Sequence, residues 1–452
     1  MIKLLLFLII ISYILKINKI LKKYHLVIHN NYLKIHHYFN ITNHHKILNK
    51  LKVGTYSIYL ENGGRARTTS LLLNYLCHIK FFDLYLYSIK KKKKNDYLIN
   101  ENIKRILIKR YTLKNLIKEI KKKRLEVFIY QLSNYSEINI FNNLKKIKII
   151  FIQHQSFFFW IYSNYTYFKY LYKSYQKSRF IISFIHLEND YIFKKWGIKS
   201  ILMNNFITYD YNHSFPSYLM SKNIIMIGRA DDIFKRFELG IQAMEYIIKE
   251  IPDSQMIIIS NLTNIFFLKN IINNLILKNN IIFYDYTLNP EIYFQNASLH
   301  ISTSISESFG LALSETKIYG IPNILLGLDY ISIKKGGIII IYDDSAESIA
   351  KEAIKILLNN QNRKNIGYEA RISMKSFINE ILMKKWVKLI LSIYFYDDYQ
   401  IFKIFRESDK KLSEKEALEI LQNQIKLLNM RKTKMKNKSI NDIENFIFIG
   451  NN

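Results

Sequence analysis

A chain of 452 residues exceeds what one hydrophobic core normally fills, so two domains are expected, and 49% hydrophobic residues exclude a disordered polymer. A single cysteine, Cys77, excludes an intrachain disulfide and any cysteine-based metal motif. The net charge of +31 is uneven: residues 1–220 hold 37 Lys and Arg against 10 Asp and Glu, residues 221–452 hold 30 against 26, so an anionic partner is expected on the first half.

The chain begins with an apolar run, Leu4 to Leu15, followed by Lys16, Lys19, Lys22 and Lys23. It is short for a spanning helix, which takes about 20 residues, and no small-residue cleavage site follows it. We read residues 1–25 as a membrane anchor and 26–49 as a linker. The positive flank would keep the body on the cytosolic side. A signal peptide leading to the secretory lumen, or a buried helix, stays open. Lys90 to Lys94 and Lys121 to Arg124 are basic clusters, either solvated faces or contacts for an anionic membrane surface. Sequons at Asn134, Asn164, Asn261 and Asn296 read as accidents of an Asn-rich chain, because Asn296 sits where a core strand is expected to begin.

From residue 50 onward strands and helices alternate. Lys52–Leu60 reads as a strand, Gly63-Gly64 as a turn and Thr68–Leu76 as a helix, which aims helix-start amides at the turn. Leu144–Gln153 is a second strand, with His154 at its carboxyl end before the aromatic run Phe157 to Trp160. Arg179–Ile185 is a third, and Ile201 to Ile207 closes the first domain, placed at 50–215. The second domain, 216–375, starts with the strand Asn223–Arg229 and a helix from Phe237 to Glu250. Arg229 and Lys235, with Arg236 as a third candidate, stand at that strand's carboxyl end, where cations neutralise a diphosphate. Asp231-Asp232 is too sparse for a metal site. Met256–Ser260, Asn280–Tyr286 and Ala297–Thr303 are further strands.

Next comes Ser304 to Pro322, S-I-S-E-S-F-G-L-A-L-S-E-T-K-I-Y-G-I-P. Glu307 lies in the turn after a strand, and Glu315 lies on the helix Leu311–Tyr319 that follows. The amides of Phe309, Gly310 and Leu311 lie at that helix's start, where the dipole favours phosphate. Ile338–Ile341 is the last strand, and Ser345–Leu358 and Ser373–Tyr394 read as helices. A capping box, Ser413 to Glu416, opens an amphipathic helix in a basic tail, 395–452.

The stretch from Glu307 to Pro322 resembles the signature of retaining glycosyltransferases of family 4: Glu, seven residues, Glu, with Phe309-Gly310 after the first acid and Gly320-x-Pro322 after the second. Thr316-Lys317-Ile318 replace the usual small residues. The resemblance covers roughly residues 50–394 and implies the GT-B fold: an α/β protein with two Rossmann-like domains facing a central cleft, here with a short N-terminal apolar helix and a helical tail. It implies that residues 376–394 cross back onto the first domain. It implies a nucleotide-sugar donor, a glycan, lipid-linked or protein acceptor, no cofactor and no catalytic metal; no nucleic-acid partner is expected. By the same resemblance Glu307 binds donor-sugar hydroxyls, Glu315 the nucleotide ribose, and Arg229 and Lys235 the diphosphate. Gly63 and Gly64 face the diphosphate, His154 touches the transferred sugar, and Asn205 matches an Asn of the family's inter-domain segment, whose Pro and Gly are missing here. A GT-B phosphorylase or sugar-phosphate synthase, a silent scaffold, and a basic nucleic-acid binder are the other classes considered.

Overall fold

The computed structural model describes residues 50–431 except 59, 62, 90–95, 109–111, 132–142, 145, 160–165, 210, 213, 231–233, 263–264, 276, 396–401, 403–404 and 406–411. The apolar run 4–15, the lysine run 90–94, the acid pair 231–232 and the tail beyond 431 lie outside the described residues.

The first sheet comprises β1 (Leu51–Ser57), β2 (Phe82–Ser88), β3 (Lys104–Leu107), β4 (Val127–Gln131), β5 (Lys148–Ile152), β6 (Phe180–Ser183) and β7 (Ser200–Leu202). Around it lie α1 (Gly64–Leu76), α2 (Leu113–Lys122), α3 (Thr166–Tyr175) and α4 (His186–Trp196). The strands are parallel in the order β3-β2-β1-β4-β5-β6-β7. The second sheet comprises β8 (Asn223–Ile227), β9 (Gln255–Ile259), β10 (Ile281–Tyr284), β11 (Leu299–Ser302), β12 (Asn323–Leu326) and β13 (Ile338–Ile341). It is parallel in the order β10-β9-β8-β11-β12-β13. Its helices are α5 (Phe237–Glu250), α6 (Phe266–Asn274), α7 (Glu291–Phe294), α8 (Leu311–Ile318), α9 (Ala346–Leu358) and α10 (Asn360–Ser373), followed by α11 (Asn379–Phe395) and α12 (Glu414–Met430).

Both sheets are doubly wound. Helices on each face dry the strands on both sides, which is why β5, K-I-I-F-I, and β8, N-I-I-M-I, are nearly unbroken apolar runs. In each sheet the strand order reverses at one place, between β1 and β4 and between β8 and β11, and such switch points open a crevice at the strands' carboxyl ends.

Four local expectations change. The helix expected over Ser373–Tyr394 is interrupted: α10 ends at Ser373, a 3-10 turn spans Met374–Phe377, and α11 starts at Asn379. The break sits where the chain passes between the domains, and Asn379 ties it down. Its Oδ1 accepts from Ile207 N (2.9 Å), and its Nδ2 donates to Ile207 O (2.7 Å) and Tyr75 Oη (2.9 Å). Asn296 is exposed, because β11 begins only at Leu299. Arg236 faces Asp344 instead of the strand-end loop, forming an ion pair with it. Asn205 is buried and donates to Thr68 Oγ1 (2.9 Å), so it anchors the inter-domain segment to α1.

α11 lies on the first domain. Trp386, Leu389, Ile390 and Ile393 are buried, and the Ile393 carbonyl, in the helix's last turn, accepts from Lys148 (2.8 Å) and Arg179 (2.9 Å). Cations at a helix C-terminus also meet the negative end of its dipole. α12 docks on the second domain. Ser413 and Glu416 exchange the two capping-box bonds, Ser413 N to Glu416 Oε2 (2.9 Å) and Glu416 N to Ser413 Oγ (3.2 Å). Gln424 then donates to Gly327 O (2.6 Å) and Asp329 Oδ1 (3.1 Å). Beyond the helix, Arg431 pairs with Asp344 (3.1 Å).

A candidate active site in the interdomain cleft

The site grows from the carboxyl ends of β8 and β11, the pair that flanks the second switch point. β8 runs into Gly228-Arg229. An ideal Cβ on Gly228 would stand 3.6 Å from Lys235 Cδ and Cε, so the lysine stem lies along the glycine backbone. β11 runs into Thr303, whose hydroxyl donates to the carbonyls of Lys235 (2.7 Å) and Arg236 (2.8 Å) and thereby fixes the loop that carries the lysine. Lys235 Nζ then reaches Glu307 Oε1 as an ion pair, and Ser304 Oγ donates to the same oxygen at 3.0 Å. Both partners are about one-fifth to one-quarter exposed, so the pair stands at the wall of the cleft, open to a ligand. Arg229, which follows Gly228 at the end of β8, is exposed.

Glu307 is held from its backbone too: its N–H donates to Tyr330 Oη at 3.1 Å. The Tyr330 ring packs at a tilt against Phe158 of the first domain, centroids 4.4 Å apart. Sequence reasoning missed Tyr330, which sits 23 residues from the acid it holds. Two residues beyond Glu307, Phe309 is buried and Gly310 caps α8 with φ 82°, a left-handed conformation that a side chain would strain. The start of α8 carries no side-chain cap, and Leu311 there meets Gly64: an ideal Cβ on Gly64 would lie 3.1 Å from Leu311 Cδ1. The glycine therefore lets the two helix starts, α1 and α8, approach across the cleft. Gly63 caps α1 in the same place with φ 112°.

His154, at the end of β5, is half-buried. Its Nε2 is 2.8 Å from Gln131 Oε1, and Gln131 Nε2 donates to Thr55 Oγ1 at 3.2 Å. Burial, with Arg65 nearby, pushes its pKa down to about 3, so the imidazole is neutral throughout the physiological range. Its ring faces Phe184 (5.7 Å between centroids), which in turn faces Phe309 (6.0 Å). Ser156 closes the same wall, its hydroxyl 2.6 Å from that of Ser306 on the other domain. The structure thus gathers His154, Gly64, Lys235, Glu307 and the start of α8 about one cleft.

Glu315, on α8, faces the first domain. It is 1% exposed, and its Oε1 takes an ion pair from Arg67 and a hydrogen bond from Thr208 (2.6 Å), both of the first domain. Arg67 was not read from the sequence, although it stands one helical turn beyond the glycine pair and so shares its face.

Lys317, the departure from the small residues that the resemblance implies, is buried. Its Nζ donates to the carbonyls of Ile333 and Lys335, each at 2.7 Å, and ties the 327–337 loop to α8. Burial pushes its pKa down to about 7. An unfolded lysine titrates near 10.4. Between these values the unfolded chain binds the proton that the folded chain has released, so this group makes stability rise with pH from about 7 to 10 and adds no slope below. Lys317→Met is expected to flatten that segment of the stability profile, measured by urea unfolding at steps of pH; an unchanged slope would contradict this.

Among the described residues no group of three His, Cys, Asp or Glu side chains could hold a metal ion, and no helix is long and apolar enough to cross a membrane.

Residues 211–373 match the family model described as glycosyl transferases group 1. A stretch of 91 residues is 36% identical to poly(glycerol-phosphate) alpha-glucosyltransferase of Bacillus subtilis (strain 168); it covers 20% of this chain and 14% of that enzyme's length. The whole fold is similar to that of sucrose-phosphate synthase from Thermosynechococcus elongatus, with a TM-score of 0.65, 14% identity, and coverage of 76% of this chain and 99% of that one. It is also similar to Anabaena HepE, solved in complex with UDP and glucose (TM-score 0.61, 11% identity, 76% and 100% coverage). At such identities the structural likeness establishes the fold. Residues 211–373 are thus similar to the glycosyl transferases group 1 family, and the chain as a whole shares the two-sheet α/β fold of these structures.

Proposed function

We propose that the protein is a retaining glycosyltransferase that moves a hexose-type sugar from a nucleotide-sugar donor to a glycan, lipid-linked or protein acceptor. The observation that carries this reading is the Lys235–Glu307 pair at the switch point, beside the free amides of α8. Breaking the donor's bond builds positive charge on the sugar ring and negative charge on the departing diphosphate. Lys235 and Arg229, with the amides of Phe309, Gly310 and Leu311, supply the cationic and dipolar field for that departing charge. Glu307, held by Lys235, Ser304 and Tyr330, orients donor-sugar hydroxyls. The acceptor oxygen bonds to the anomeric carbon as the carbon–phosphate oxygen bond breaks, and the departing phosphate takes the acceptor's proton. His154, neutral and oriented by Gln131, hydrogen-bonds the transferred sugar and does not abstract a proton. Closure of the two domains excludes water, which limits hydrolysis of the donor. No cofactor is required in this scheme, since the leaving charge is met by side chains and amides.

The relative that shares 36% identity acts on a glycerol-phosphate polymer, and the basic first half of this chain is compatible with an acceptor of negative charge, or one presented at an anionic membrane surface from the cytosolic side. A thermal-shift panel of UDP-, GDP- and ADP-sugars tests the donor: at about 100 times Kd a true donor adds about 2.7 kcal/mol. Glu307→Ala is expected to lower turnover with that donor by at least about a hundred-fold. Indifference to every donor, or full activity of Glu307→Ala, would overturn the proposal.

A further inference from the structure

Glu315 joins the two domains, and its two oxygens are unequally used. Arg67 and Thr208 both meet Oε1, while among the described residues no hydrogen bond reaches Oε2. Arg67 is itself held in place from the first domain and across the cleft. Its Nε donates to Tyr97 Oη at 3.1 Å, its guanidinium lies 5.4 Å from the centre of the Tyr97 ring, and the Tyr97 hydroxyl bonds that of Tyr286, which follows β10 in the second domain. Burial alone would lower the Arg67 pKa, yet Glu315 and the tyrosines outweigh it and hold it well above its ordinary value.

From this geometry we infer that Arg67 is a positioning residue that makes the grip of Glu315 on the donor nucleotide depend on closure of the first domain. This rests on the reading of Glu315 as the ribose acid. The carboxylate is shared between two tasks: Oε1 is taken by the first domain, and Oε2 is left to accept from a ribose hydroxyl. With the domains apart, Glu315 loses Arg67 and Thr208 and its carboxylate is free to rotate; with them together, a single orientation is imposed. Nucleotide and closure then favour the same state of one side chain, and thermodynamic linkage makes each strengthen the other.

The test is a double-mutant cycle on the full-length chain. Affinities for UDP, GDP and ADP are measured by calorimetry for the wild type, Arg67→Ala, Glu315→Gln and the double variant. For whichever diphosphate binds, each single change is expected to weaken affinity by about 10-fold, and the double change by scarcely more, against the ~100-fold of independent sites. Arg67→Lys is expected to recover affinity only in part, between Arg67→Ala and the wild type, since it keeps the charge but loses the planar fork that meets Tyr97 and Glu315. Should Arg67→Ala not fold, Thr208→Val removes the other bond to the same oxygen and carries the same cycle. Additive losses, or unchanged affinity in Arg67→Ala, would overturn the coupling and leave the donor site standing. A wild type that binds none of the three diphosphates would overturn both.

Discussion

Lys235→Ala is expected to lower kcat/KM for the donor by about a hundred- to a thousand-fold, roughly 3–4 kcal/mol of transition-state stabilisation. The reason is where the charge appears. The lysine stem lies along Gly228 at the end of β8, and the ammonium reaches the acid at the end of β11, so it sits over the one place where both strands aim their loops. In the resting protein it compensates Glu307. During reaction its charge is shared with a diphosphate that gains negative charge, and the interaction therefore grows toward the transition state. The loss to folding is expected to be small, about 1 kcal/mol or less, because both partners keep access to water and Ser304 still donates to Glu307. Activity and melting temperature should separate: a large kinetic defect with a near-native unfolding curve. Lys235→Arg is expected to recover only part, since a planar fork does not replace a compact ammonium in a site built around a narrow stem. Turnover within about threefold of the wild type in Lys235→Ala would remove the leaving-group role assigned here.

Asp344→Ala is expected to have the largest effect on stability, about 3–5 kcal/mol. Asp344 holds Arg236 at the start of α5 and Arg431 just beyond α12, with all three side chains about nine-tenths buried. Removing the acid leaves two guanidinium groups with little water and without the carboxylate that they share, a worse state than losing the whole triad. Burial by itself would raise the Asp344 pKa; the two arginines outweigh it and hold the carboxyl below its ordinary range. The sign follows from linkage: stability from this group is complete above the unfolded value of about 3.9 and is lost as pH falls through the depressed folded value. Urea unfolding at neutral pH measures the loss, and a change below about 1 kcal/mol would show that the triad carries no net weight.

The parts legible in the sequence share a physical origin. Strands of a parallel sheet are buried on both faces, so 148–152, 223–227 and 255–259 stand out as apolar runs between helical stretches. Glu307 and Glu315 stood out because a strand end, a glycine turn and a helix start are all local. What escaped was mostly distant. Arg67 meets Glu315 across 248 residues, and no periodicity encodes which helix start faces which across a cleft. Tyr330 and Gln131 act on Glu307 and His154 from neighbouring strand ends in the same way. α10 was missed for a different reason. N-Q-N-R-K-N-I-G-Y-E-A-R-I-S is polar almost throughout, and the helix is fastened by polar bonds: Arg363, 2% exposed, donates to Leu219 O (2.8 Å) and Ile356 O (3.1 Å). Arg371 donates to Tyr211 O (2.9 Å) and Ser214 O (2.6 Å). Hydrophobic patterning does not detect such a helix. Arg236, the third candidate beside Arg229 and Lys235, has a left-handed backbone, φ 50°, and its side chain pairs with Asp344, which no local pattern announces.

The polypeptide passes between the two halves twice, once after β7 and again at Asn379, and the two strands of chain are bonded to each other at Ile207. A body attached at a single thread can swivel in any direction, whereas one attached along a line swings like a door, about one axis. Here the two crossings are clamped side by side at Ile207, so the halves are joined along a line and not at a single thread.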